Sequence, residues 1–143
     1  MKIIDASGMV AGRMANKVAK MALEGEQVAI INCEKAVISG KPEMILRKYK
    51  VREGRAQPFK GPRRRRMPDR LLKSIIRGML PHWRWSEQSR GRLALSRVKC
   101  YLGTPDEFKD KKAEQVKGAE VSGIKIQYYI TLEELSKLLK GHE

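Results

Sequence analysis

Residues 2–33 read KIIDASGMVAGRMANKVAKMALEGEQVAIINC, and their patterning decides the fold. Lys2-Ile3-Ile4-Asp5-Ala6 is a short, β-branched run closed by Ser7-Gly8, which predicts a strand and a turn. Apolar residues then recur at Val10, Ala11, Met14, Ala15, Val18, Ala19 and Ala22, with Arg13, Lys17 and Lys20 on the opposite side. That 3.6-residue stripe is an amphipathic helix, and Gly25 supplies its stop. Gln27 to Cys33 is nearly continuous apolar, as a strand covered on both faces must be. Strand, helix and strand in this order predict a βαβ unit with parallel strands and a right-handed crossover.

Such a unit raises the question of a nucleotide cofactor. The turn carries Gly8 and Gly12, spaced G-x-x-x-G, and lacks the G-x-G-x-x-G of dinucleotide folds, although Glu34 follows about twenty residues on. The simpler reading is that Gly8 permits the turn and Gly12 lets helix and strand pack closely. No phosphate-binding G-K-[ST] loop is present. The two histidines, His82 and His142, have no partner visible in the sequence that would make a triad or a metal site. Cys33 and Cys100 lie far apart in apolar runs and read as buried free thiols. The expectation is a protein without catalysis, cofactor, metal or small-molecule substrate. The alternative is a nucleotide-dependent enzyme built on the opening βαβ unit.

Outward from this unit, Ala36-Val37-Ile38 predicts a short strand ended by Ser39-Gly40. Pro42 starts a helix running to about Lys50, with Met44, Ile45 and Tyr49 inward. From Val51 to Arg66 no period persists, and Gly54, Pro58, Gly61 and Pro62 mark a long loop. Pro68 opens another helix whose buried stripe is Leu71, Leu72, Ile75, Ile76, Met79 and Leu80. A helix from Ser86 to about Leu95, weakened by Gly91, leads into a strand over 97–102. Residues 104–123 read as a polar surface excursion, and 124–130 alternate as a strand. Thr131 and Glu134 form a capping box for a last helix with Leu132, Leu135, Leu138 and Leu139 inward. At 143 residues this is one α/β domain.

Charge is confined to the middle of the chain. Arg47 to Lys99 holds 18 Lys and Arg against Glu53, Asp69 and Glu87, a net of +15; the remainder holds 13 of each sign and is neutral. Every arginine except Arg13 lies inside this stretch, as do Trp83 and Trp85. Such segregation implies a polyanion, and the arginine bias favours phosphate, which the planar guanidinium binds in a bidentate way. The stretch lacks a long amphipathic helix of membrane-surface type, and no apolar run nears the ~20 residues that span a bilayer. The chain opens without the apolar core of a signal peptide, so the expected location is cytoplasmic.

Three clusters carry the expected RNA contacts. Lys48, Lys50, Arg52 and Arg55 lead into the first, Lys60 with Arg63, Arg64, Arg65 and Arg66, where no acid intervenes. The second is Arg70, Lys73 and Arg77, at i, i+3 and i+7 on one helix face. The third is His82, Trp83, Arg84 and Trp85 with Arg90 and Arg92; the tryptophans either stack on unpaired bases or pack in the core. Recognition would be of backbone and shape. If about six to ten phosphates are neutralised, affinity should fall ~10³–10⁵-fold between 50 and 200 mM salt.

These residues resemble a known family. Residues 4–15 (IDASGMVAGRMA) and 28–35 (VAIINCEK) are similar to the N-terminal part of ribosomal protein L13 of the large subunit. Gly61 to Pro68 and Arg77 to His82 resemble that family's central signature, and the arginine-rich loop resembles its archaeal type. The resemblance covers about 3–103; from Thr104 the chain departs more, and contacts made there by relatives are not carried over. It implies a three-layer α/β/α fold with a four-stranded, mainly parallel sheet. It implies a structural role in the large subunit, with ribosomal RNA and neighbouring ribosomal proteins as partners. It also implies that the Gly78–Pro81 segment sits against RNA. Some relatives also regulate messenger RNA, which leaves a free regulatory RNA-binding protein as a further alternative.

Overall fold

The computed structural model describes residues 1–55, 65–81, 89–109, 111–122 and 126–141. Three parallel strands form the central sheet: β1 (Lys2–Asp5), β2 (Val28–Ile31) and, after a long excursion, β4 (Val98–Cys100), in the order β1-β2-β4. Lys2 pairs with Val28 and Asp5 with Ile31, while Val28 pairs with Val98 and Ile30 with Cys100. A separate antiparallel pair joins β3 (Val37–Ser39) to β5 (Tyr129–Thr131). Among the described residues the expected four-stranded sheet is therefore a three-stranded one. Its outer edge is closed by one residue, Glu114, whose amide donates to Ile3 O at 2.9 Å and whose carbonyl accepts from Asp5 N at 3.1 Å.

Among the described residues five helices share one core. Helix α1 (Ala11–Leu23) buries Met14, Ala15, Val18, Ala19 and Ala22. With it pack α2 (Pro42–Gly54), α3 (Pro68–Met79), α4 (Arg90–Ser96) and α5 (Leu132–Lys140), against Ile4, Val28, Ile30 and Val98 of the sheet. The alternate residues Ile3, Ala29 and Ile31 point to the other face, because successive strand side chains alternate. What covers that face is a 3₁₀ turn, Asp106–Phe108, whose Phe108 ring meets Tyr101 edge-on at 5.4 Å. Among the described residues this layer is a turn rather than the helices the resemblance implies.

Several local expectations change. The segment over 104–123 is docked, not a surface excursion: Phe108, Val116 and Ala119 are buried, and Val10 N donates to Ala119 O at 2.8 Å. Helix α2 runs to Gly54, beyond the expected Lys50, so the loop starts later; its central part lies outside the described residues. Met44, Met79 and Leu138, expected inside, are exposed at the margins of their stripes. The last strand begins at Tyr129, and the capping box holds, with Glu134 N donating to Thr131 Oγ1 at 3.2 Å.

Two glycines have contrasting reasons. Gly91 is buried where a Cβ would stand 2.1 Å from Pro81 O, so backbone meets backbone there. Gly12 has open space around it, and the close-packing reading of Gly12 is wrong. Among the cysteines, Cys33 is buried as expected, but Cys100 is only partly so. No helix among the described residues is long and apolar enough to cross a membrane.

Candidate nucleic-acid interface

Helix α3 has two sides with different tasks. Pro68 at its first position has no amide to leave unsatisfied and pre-sets the helical φ. Leu71, Leu72 and Ile76 are buried on one side; Leu72 and Ile76 are fully so and each contribute about 1.5–3 kcal/mol. Arg70, Lys73 and Arg77 therefore rise on the other side, beside β4. Between them is an open cleft of about 490 Å³. Its cations are Arg65, Arg70, Lys73, Arg77 and Lys99; Leu95, Cys100 and Tyr101 complete the wall. Against five positive charges stands one carboxylate, Asp69, in the first turn of α3, where the helix dipole favours an acid. Asp69 Oδ1 is buried without a hydrogen-bond partner among the described residues. Guanidinium and ammonium groups converging at this density suit an anion with several oxygens.

A second basic surface runs along α2. Arg47, Lys48, Arg52 and Arg55 surround Met44 and Val51 in a shallow depression of about 350 Å³. Arg52 also lies over the Tyr49 ring, 5.8 Å from its centre. The two surfaces are joined through Arg66, whose Nε donates to Glu53 Oε1 at 2.5 Å. Arg66 adjoins Arg65 of the cleft, and Glu53 adjoins Arg52 of the α2 surface. Not every cation of the basic stretch is placed to meet a ligand. Arg97 donates to Ala22 O at 3.1 Å, satisfying a carbonyl at the C-terminal end of α1.

The predicted contacts thus separate. Arg65, Arg70, Lys73 and Arg77 are brought into one cleft; Lys48, Arg52 and Arg55 line the α2 surface, with Lys50 exposed on the same helix. Arg90 and Arg92 are exposed on α4 but line neither site, since residues two apart on a helix diverge. Lys60, Arg63, Arg64, His82, Trp83, Arg84 and Trp85 lie outside the described residues. Sequence reasoning missed Lys99 and Tyr101, and on α2 Arg47. The alternation Val98 buried, Lys99 exposed was available as a signal, but nothing local shows that β4 runs beside α3.

The opening βαβ turn offers no phosphate cradle. Ser7 N donates to Asp5 Oδ1, Gly8 N to Lys35 O, Met9 N to Ala6 O and Val10 N to Ala119 O. All four turn amides are thereby used within the protein, and the 3.0 Å Ser7 bond and 2.8 Å Val10 bond are well formed. Asp5 is structural: its Oδ1 also accepts from Ser7 Oγ at 2.8 Å and Asn32 Nδ2 at 2.9 Å. Burial pushes the Asp5 carboxyl up, but the bonds from Asn32 and Ser7 outweigh it and hold the group below its ordinary value.

Comparisons with known proteins show the family. The profile of the family described as ribosomal protein L13 matches residues 1–107. The chain is 42% identical over 139 residues to the large ribosomal subunit protein uL13 of Methanococcoides burtonii, covering 97% of each chain. It is 40% identical to the uL13 of Archaeoglobus fulgidus, over 96% of this chain and 86% of that one. The uL13 of Thermoplasma acidophilum is 41% identical, over 99% and 100%. A family profile spanning three quarters of the sequence, and relatives aligned end to end, place this chain in the ribosomal protein L13 family.

Proposed function

We infer that this chain is a non-catalytic, structural constituent of the large ribosomal subunit in the cytoplasm, and that it holds ribosomal RNA through the α3–β4 cleft and the α2 surface. One observation carries the RNA reading: Arg70, Lys73 and Arg77 from a helix and Lys99 from a neighbouring strand converge on a single cleft with Arg65. RNA segments repel one another, and one rigid body neutralising two of them at the cleft and the α2 surface allows their approach. The reading of the chain as one domain is supported by the core that the five described helices share. Lys50, Arg66, Arg90 and Arg92 extend the basic field around the two surfaces, and neighbouring ribosomal proteins complete the surroundings.

The test is binding of the full chain to large-subunit ribosomal RNA as a function of salt. If the five cleft cations each neutralise a phosphate, log affinity falls against log salt with a slope of at least about −3.5. A nearly salt-independent affinity would overturn the reading. Sedimentation of cell extract gives the second arm: co-migration with the large subunit is expected, and its absence would favour a free regulatory RNA-binding protein.

A further inference from the structure

The two cysteines, distant in sequence, are brought into one core cluster behind the cleft wall that Cys100 helps to form. Ile30 of β2 pairs in register with Cys100 of β4. After Ile31 the chain turns through Asn32, at φ 53°, and Cys33 folds back so that its Sγ lies 3.5 Å from Ile30 O. Cys33 N donates to Tyr101 O at 3.2 Å, which fixes this turn against the end of β4. Both side chains pack in the same core cluster, each beside Ile30.

Access to the pair is one-sided. Cys33 is fully buried, whereas Cys100 is partly exposed and forms part of the cleft wall. The neighbouring charges are also one-sided, with Lys73 nearby and the remaining cleft cations around the opening. The neighbouring Cys33, helped by Lys73, draws the Cys100 thiol below its ordinary value against the effect of burial and of Asp69. The nearness of Cys100 and burial push Cys33 up. An accessible thiol tuned toward thiolate beside a sheltered thiol kept protonated is the division needed between an attacking and a resolving cysteine.

We propose that Cys100 and Cys33 form a reactive dithiol site for small anionic disulfides, which enter through the cationic cleft. The Cys100 thiolate attacks one sulfur of R–S–S–R; that S–S bond breaks, and one RS⁻ leaves with Cys100 held as a mixed disulfide. Cys33 then attacks Cys100 Sγ, losing its proton to solvent as it does so, and expels the second RS⁻. The protein dithiol is oxidised by two electrons, the reagent is reduced to two thiols, and a Cys33–Cys100 disulfide remains. The site is open in the chain free of RNA, and a polyanion filling the cleft closes the route to Cys100.

The experiment uses the reduced full chain and dithiobis(nitrobenzoate), a dianionic aromatic disulfide, followed by the colour of the released thiolate and by protein mass. The wild-type chain is expected to release two equivalents and to end two hydrogens lighter, without adduct. Cys33→Ala is expected to release one equivalent and keep a stable adduct, whereas Cys100→Ala should react slower by about tenfold or more. Lys73→Gln should slow the dianionic reagent more than the uncharged dithiodipyridine. The proposal is overturned if Cys100→Ala reacts as fast as wild type, if the wild-type chain ends with two stable adducts, or if neither thiol reacts before unfolding. The wild-type end product decides the matter even if a variant fails to fold.

Discussion

Arg66 Nε lies 2.5 Å from Glu53 Oε1, and this ion pair spans from the segment before α3 to the last turn of α2. It crosses the long basic loop and sets the spacing of its two ends. The side chains are 36% and 27% exposed, so the pair contributes no more than about 1 kcal/mol. Its effect is on placement: it sets Arg66 apart from its neighbour Arg65, which lines the cleft. Arg66→Ala is therefore expected to cost less RNA affinity than Arg70→Ala, while lowering stability slightly. Filter binding of both variants and urea unfolding of Arg66→Ala check this. An equal loss of affinity in the two variants would show that the pair does not distinguish Arg66.

The α3 face should be separable from the fold. In the triple variant Arg70→Gln, Lys73→Gln, Arg77→Gln, the salt dependence of RNA binding is expected to flatten by roughly two to three units of slope. Unfolding free energy should stay within about 0.5 kcal/mol per site, since Arg70 and Arg77 are exposed and Lys73 is half-buried. An unchanged slope would remove the cleft from the binding surface.

The buried side of the same helix gives the converse. Ile76 is fully buried, and Ile76→Ala should cost about 2–5 kcal/mol in chemical denaturation. Met79, one turn further and 42% exposed, lies off the core; Met79→Ser should change stability by only about 0.5 kcal/mol. Reversed sensitivities would mean that α3 is rotated about its axis.

Gly91 is constrained by the Pro81 carbonyl. The methyl group of Gly91→Ala would overlap Pro81 O and push α4 from α3, at a cost of about 1–3 kcal/mol. Gly12→Ala meets nothing and should be neutral or slightly stabilising, because alanine favours the helix by up to about 1 kcal/mol. Thermal melts of the two variants make the comparison.

Asp5 supplies a pH dependence with a definite sign. Its folded-state value lies below the ordinary one, so its contribution to stability is present above the unfolded value, about 3.9, and is lost as pH falls through the folded value. Asp5→Asn should be less stable than wild type at neutral pH, and the difference should shrink as the pH is lowered below about 4. Urea unfolding at pH 7 and at successively lower pH measures it; a constant difference would show that the Asn32 and Ser7 bonds do not depend on the charge.

The elements whose own residues fix their periodicity were legible. The stripe from Ala11 to Ala22, the apolar run Val28–Ile31 and the capping box at Thr131 and Glu134 are local patterns, and each formed where it was expected. Stripe margins were not. Met44, Met79 and Leu138 fit a helical period as well as their buried neighbours do, and only the width of the facing surface leaves them outside. Residues 104–122 misled because few of them are apolar, yet Phe108, Val116 and Ala119 suffice to anchor the segment. Its backbone then covers the β1 edge and the turn that a cofactor would need.

By itself the sequence determined the parallel βαβ start, the family, the segregation of +15 into one stretch and the two-sided nature of α3. Those properties belong to single segments, where spacing alone sets which side chains share a face. The tertiary structure alone decided that Lys99 joins Arg70 and Lys73, that Arg66 is tied to Glu53 and that Cys33 and Cys100 share one core cluster. These partners come from different elements, and strand order and helix docking are set by the burial of a shared core, which no local pattern encodes.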